Sequence, residues 1–394
     1  MKKLYETDSY ICSNETIVTN SYEENGEFYI ELEESVFFPE EGGQYADTGY
    51  IDYNGIKVEV LDGRCIGKAG SREQTIDYRV SQMIPTGERV SCFLDWNKRF
   101  MRMQNHSAEH ILTGLIHNKY GFDNVGFHLS DEDYVTLDLN GVIDYEQVLE
   151  MEEAANEVVC SNLPITAYFP DEATLKATEY RSKIDIEGTV RLVKIGDDNN
   201  TVDVCACCAP HVSRTGEIGL IKVVSVINWK GGIQIAMLAG ARAREYVNRE
   251  LAILNTSAKL ISSSSVNVPV MLESYRNEIV DLKQKLTKSM EALALEQINR
   301  LADNEPKCVF MEDDCSSVVM KNVYNELTKR FSGFVGVFAG SEENGYRYNA
   351  GSSKLDSREL ATLLREKLGA KGGGNSEMIQ GKITASKEAI KENF

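Results

Sequence analysis

The sequence predicts an α+β fold: a small N-terminal β-barrel, an α+β domain with a metal-ligating motif set, a helical linker and a small C-terminal α/β domain. Three observations carry that prediction. Residues 1–95 alternate apolar and polar side chains in short stretches cut by Gly, Asn and Asp, the period switches to helical at Trp96, and helical periodicity then runs almost unbroken from Ala241 to Arg300.

Stretches such as EFYIELEESVFF and IKVEVLDG read as short strands, which close most naturally as a small barrel or sandwich. From Trp96 to Tyr120, Phe100, Met103, Ser107, Ile111, Leu115 and Ile116 recur at three- and four-residue spacing, the mark of a long helix. Segments 132–160 and 171–180 read as helical, whereas TVRLVKI, LIKVVSVINW and IQIAMLAG read as buried or half-buried strands. The run SSSSVNVP at 262–269 breaks the long helical stretch. Beyond it Ile279, Leu282, Leu286 and Leu293 form a heptad-like stripe among Lys and Glu. Two readings of that stripe stand level: a helix packed on its own domain, and a coiled coil that makes a homodimer. The last segment alternates strand-like CVFMED and FVGVFAGS with the helix SRELATLLREKL, then reaches AKGGGNSEMIQGKI. The expected domains are 1–95, 96–245, 246–304 and 305–394.

Composition narrows the function classes. Of 394 residues 42% are apolar and 26% charged, and no apolar run approaches the roughly 18 residues that cross a bilayer, so no membrane span is expected. Lys2 and Lys3 have no apolar stretch behind them, which argues against a secretory signal and for a cytoplasmic protein. In that compartment thiols stay reduced, so nine cysteines, an odd number, point to metal or catalysis where they cluster. A net charge of −19 argues against coating nucleic acid by bulk electrostatics, though a local basic track remains open.

The cluster is CACCAPH at 205–211. Upstream, NHSAEH places His106 and His110 one helical turn apart, so both imidazoles leave the same face, as two ligands of one metal must. Cys207 and His211 repeat the four-residue spacing, and together the pairs supply three nitrogens and one sulfur, a set zinc accepts tetrahedrally. Cys205 and Cys208 compete for the thiolate position. Pro210 favours a loop over a helix here. Glu109, beside His110, is a base by residue type, but an exposed helix carboxylate is the plainer expectation. A further signature is FFPEEGGQYADTG at 37–49, where two glycines permit close backbone approach and Gln44 both donates and accepts hydrogen bonds.

In this order, GGQYADTG, then LDWNKRFMRMQNHSAEHILTGLI, then CCAPHVSRTGEIG, the motifs resemble the editing domain of alanyl-tRNA synthetase and its freestanding AlaX relatives, over about residues 1–245. The resemblance implies one zinc ion per chain on His106, His110, Cys207 and His211, with Cys207 chosen among the three cysteines. It also implies a substrate-positioning role for Gln44 and for Ser35, which stands where the family commonly carries threonine. The usual Cys-Gly-Gly-Thr-His reads Cys-Cys-Ala-Pro-His here. Residues 370–381 resemble the glycine-rich loop of the accessory domain associated with DHH phosphoesterases, although the chain has no DHH motif. The likeness implies that Gly372, Gly373 and Gly374 face tRNA phosphates. Lys98, Arg99 and Arg102 precede the histidines and fit a track for the tRNA acceptor end equally with solvated helix charges. The chain starts almost directly at the barrel, so no aminoacylation domain is expected. The implied reaction is hydrolysis in trans of tRNA for alanine mischarged with serine or glycine. The competing readings are a non-catalytic zinc protein that binds tRNA and an editing hydrolase for another aminoacyl-tRNA.

Overall fold

The computed structural model describes residues 1–67, 74–131, 134–182, 189–302 and 304–394. The chain divides into two compact units, Met1–Ile253 and Leu254–Phe394.

The first unit opens with a closed six-stranded barrel in the order Ser13–Glu24, Glu27–Leu32, Thr75–Val80, Ile56–Ile66, Gly49–Tyr53, Arg89–Leu94. Alternation explains the inside: Val58 and Val60 are buried while Lys57 and Glu59 between and beside them face water. Asn54 and Gly55, both at positive φ (53° and 80°), make the tight turn that joins Gly49–Tyr53 to Ile56–Ile66. The helix Trp96–Tyr120 follows. Asp95 caps it by accepting from the Lys98 amide, and Gly121 ends it in the left-handed conformation.

That helix packs on an antiparallel sheet ordered Ile221–Trp229, Gly232–Ala239, Val135–Leu139, Asn124–His128. Met103, Ile111, Leu112 and Ile116 share one core with Val135, Leu137, Ile235 and Met237. A three-stranded sheet, Ile165–Tyr168, Leu192–Gly196, Thr201–Ala206, completes the unit. Two sequence expectations need correction. Within 132–160 the helix is confined to Tyr145–Cys160, opened by a capping box between Asp144 and Gln147. Val135–Leu139 is instead a strand, because Val135, Leu137 and Leu139 alternate into the core, a period of two that a helix reading overlooks; residues 132–133 lie outside the described residues. Within 171–180 the helix is only Glu172–Ala177.

The helix Gly240–Leu260 leads to the serine-rich break, after which Val268–Arg300 runs as one long helix with Pro269 in its first turn, where a missing N–H costs nothing. The second unit carries a five-stranded sheet ordered Cys308–Met311, Val335–Ser341, Gly345–Gly351, Met378–Ile383, Lys371–Gly374, covered by Ser317–Arg330 and Ser357–Leu368. The long helix enters that core only through its last turns, at Ala294 and Ile298. Ile279, Leu282, Leu286 and Leu293 are 51–65% exposed, so the reading of the stripe as a face packed on its own domain is wrong. Gly372–Gly374 are likewise not a loop: they form an exposed edge strand paired to Met378–Ile383.

Barrel and helix are bolted together by a buried ion pair. Arg99, with no exposure, donates to Asp47, which is also shut away from water, and its remaining donors reach the carbonyls of Val36 (2.7 Å) and Ser9 (3.0 Å). Replacing Arg99 by methionine strands a buried carboxylate. Urea unfolding is expected to show a loss of about 3–5 kcal/mol, part of it recovered when Asp47→Asn is added.

Candidate functional site

One turn apart on Trp96–Tyr120, His106 and His110 hold their ring centroids 5.3 Å apart, and His211 comes within 4.9 Å and 4.7 Å of them. The Cys207 sulfur lies 3.6 Å from His106 Nε2 and 3.4 Å from His211 Nε2. Ligand atoms of all four residues lie within 4.8 Å of one another, and the three histidines are buried.

Each imidazole is held from behind. His106 Nδ1 is 2.8 Å from Gln44 Oε1, His211 Nδ1 is 3.0 Å from Ser107 Oγ, and His110 Nδ1 is 3.2 Å from Asp203 Oδ2. With every Nδ1 engaged, Nε2 is the nitrogen left to converge on the sulfur, the arrangement metal-ligating histidines normally show. Protonation agrees. Burial alone would raise the Cys207 thiol, but His106 and His211 around it override burial and hold it well below the usual thiol range. Burial holds His211 down to about 3, so that ring stays a neutral donor. His110 moves the other way: burial opposes its charge, yet Cys205, Asp203 and Cys207 raise it well above an ordinary histidine. Three imidazoles and a thiolate converging in a buried space fit a tetrahedral cation of borderline softness.

The ligand loop follows the strand Thr201–Ala206 and is braced by Arg191, whose guanidinium donates to the carbonyls of Cys207 (2.8 Å) and Ala209 (3.0 Å). Cys208 turns away toward the barrel, where burial, Cys207 and Glu41 push its thiol well up. Cys205 faces the other side, forming with His110 and Asp203 a second set of close donor atoms. Arg181 already occupies both Asp203 oxygens in that set, at 2.7 Å and 2.8 Å.

The Gly-Gly-Gln loop touches the cluster directly. Gly43 sits at φ +84°, its carbonyl accepts from the Leu129 amide at 2.8 Å, and a Cβ there would stand 2.2 Å from the Phe127 carbonyl oxygen. This contact seats the fully buried Gln44 against His106. The Gln44 Nε2 is buried without a hydrogen-bond partner among the described residues, a state that costs about 1–3 kcal/mol unless a ligand completes it.

Other sequence candidates fall elsewhere. Ser35 is fully buried in the barrel, where its hydroxyl accepts from the Phe37 amide and interacts with Tyr78. Arg99 and Arg102 are not a track for tRNA: both are buried, Arg99 on Asp47 and Arg102 on Asp131 and the Ala46 carbonyl. Lys98 alone of the three is exposed. Glu109 is not an exposed helix carboxylate. It is buried, bonded to Asn124 and Thr113, with Oε2 3.8 Å from His110 Nε2. Sequence reading missed Ser107, Arg181, Arg191 and Asp203. Ser107 lies inside the NHSAEH motif and could have been suspected, while the others carry no local signal.

Comparison with known proteins follows the same lines. Residues 190–234 match the family described as threonyl and alanyl tRNA synthetase second additional domain. Over 99% of this chain and 96% of the relative, the sequence is 26% identical to an alanyl-tRNA editing protein AlaX-L of Pyrococcus horikoshii. The chain is alanyl-tRNA synthetase-like. Alanine-tRNA ligases show the same kinship over part of their length: that of Caldivirga maquilingensis is 30% identical over 90% of this chain and 39% of the ligase. That of Halobacterium salinarum is 30% identical over 73% of this chain and 32% of the ligase. The chain thus spans about two fifths of such a ligase and nearly all of the editing protein.

Gly43→Ala, which forces a methyl into a backbone carbonyl at positive φ, is expected to lower stability by at least about 1–3 kcal/mol in chemical unfolding. Retention of the wild-type midpoint would contradict the close approach.

Proposed function

We propose that this chain hydrolyses the ester joining a wrong amino acid, serine or glycine, to tRNA for alanine, acting in trans on tRNA charged elsewhere. The observation that carries the reading is the buried cluster of three histidines and Cys207 in direct contact with the Gly-Gly-Gln loop, in a chain alike end to end to an alanyl-tRNA editing protein.

His106, His110, Cys207 and His211 are the residues that would hold a zinc ion, and zinc there would supply Lewis acidity beside an ester carbonyl. Gln44 positions the substrate: its Oε1 is committed to His106, so its open Nε2 donates to an oxygen of the bound aminoacyl group. Burial of the cluster keeps bulk water away from the reacting ester and strengthens each polar contact. Ser35 stands where the family commonly carries threonine, and in this reading it bears on which amino acid is accepted. A pocket built to hydrogen-bond a hydroxyl rejects alanine strongly, because its polar groups would then go unpaired. The parts divide as 1–95 and 96–245 for editing, 246–304 as connection and 305–394 for tRNA, in a cytoplasmic protein. Lys98 and the exposed backbone of the Gly372, Gly373, Gly374 strand meet the tRNA phosphates.

A second copy of the chain joins through the long helix. Leu272, Tyr275, Ile279, Leu282 and Leu286 follow heptad spacing on its exposed part, and in a parallel pair Glu278 would face Lys283 of the other copy.

Serine-, glycine- and alanine-charged tRNA for alanine are the test substrates. Release of serine or glycine with alanine retained, abolished in His106→Ala, is the expected result. Zinc bound without turnover on any of the three would instead point to a non-catalytic zinc protein that binds tRNA or to an editing hydrolase for another aminoacyl-tRNA. Ile279→Glu should turn a dimer into a monomer in sedimentation equilibrium, and a wild-type monomer would refute the coiled coil.

A further inference from the structure

His106 and His211 lean on uncharged partners, Gln44 and Ser107, whereas His110 leans on a carboxylate. That carboxylate is unusually well prepared. Asp203 is buried on the strand Thr201–Ala206, its Oδ1 accepting from Arg181 Nε at 2.7 Å and its Oδ2 from Arg181 Nη2 at 2.8 Å. Arg181 is fixed in turn. Nη2 also donates to Thr113 Oγ1 at 3.0 Å, the Arg181 amide donates to the Val204 carbonyl, and the Arg181 carbonyl accepts from the Ala206 amide, each at 2.9 Å.

The helix makes room for this contact. One turn beyond His110 stands Gly114, where a Cβ would come 2.8 Å from Asp203 Cβ and 3.1 Å from its Cγ. Any larger residue would push the carboxylate off His110.

We propose that Asp203, locked by Arg181, is the positioning residue that presents His110 to the metal and sets the metal affinity of the cluster. An anionic acceptor on Nδ1 keeps the proton there, leaves the Nε2 lone pair free toward Cys207, and makes the ring a stronger donor than a neutral partner would. Arg181 has a second consequence. His110, Asp203 and Cys205 also bring donor atoms within 4.8 Å of one another. With both Asp203 oxygens tied to a guanidinium, that rival set lacks a free carboxylate and presents a positive charge to any cation. The metal is thereby confined to the set containing Cys207.

The inference rests on reading the cluster as a metal site, and zinc affinity measured by competition with a chromophoric chelator separates the two. Asp203→Asn keeps the shape and removes the charge, and should weaken zinc binding by about 10- to 100-fold. In a His110→Ala background the same change should cost about twofold or less, the scatter of independent effects. Equal losses in both backgrounds, or undiminished affinity in Asp203→Asn, would overturn the role of Asp203 while leaving the metal site standing. Absence of zinc binding by the wild-type chain would overturn the metal reading itself. Should Asp203→Asn fail to fold, Gly114→Ala presses a methyl on Asp203 from the helix side. It should also weaken zinc binding, and an unchanged affinity there counts against the proposal.

Discussion

Arg99 and Asp47 meet where neither can reach water, and the geometry of everything around the histidines follows from that meeting. Burying two charges is costly and is repaid only when every donor and acceptor is used. Arg99 meets most of that requirement by spending donors on Asp47 Oδ2, Val36 and Ser9, and Oδ2 also accepts from the Phe38 amide at 2.7 Å, while Asp47 Oδ1 has no hydrogen-bond partner among the described residues. Asp47 lies three residues after Gln44 and Arg99 seven before His106. The pair therefore fixes the loop that carries the amide against the helix that carries the imidazole, which is how two separate elements hold a site to within fractions of an ångström.

Around the cluster the same economy recurs. Three histidines so close together cannot all be charged, and burial keeps His211 neutral while the Cys207 thiolate is favoured by the rings beside it. Each ring is oriented from its far nitrogen, and the loop bearing Cys207 is tied down by Arg191 through its carbonyls. A set of polar groups gathered without a ligand works against folding. Anything that binds the native state alone returns that stability by mass action.

Several basic residues are consumed in this construction. Arg99, Arg102, Arg181 and Arg191 all point inward to carboxylates or carbonyls, so in a chain of net charge −19 the surface is more acidic than the count of arginines suggests. Contact with a polyanion must rely on exposed lysines, on arginines elsewhere on the surface such as Arg244 and Arg249, and on unpaired backbone amides rather than on the arginines nearest the histidine motif.

What the sequence by itself determined is what neighbours within one helical turn or one strand pair decide. The helix limits Trp96–Tyr120, the shared face of His106 and His110, and the alternation that closes the barrel all belong here. Val135–Leu139 was misread because its alternation covers only five residues beside a true helix, and Gly372–Gly374 because three glycines carry no side-chain period at all. Only the tertiary structure decided which cysteine turns toward the histidines, that Glu109 is interior, that Arg99 and Arg102 are buried, and that Asp203 and Arg181 stand behind His110. Those pairings join residues tens of positions apart, and their choice depends on which surfaces pack together, a quantity no local spacing records.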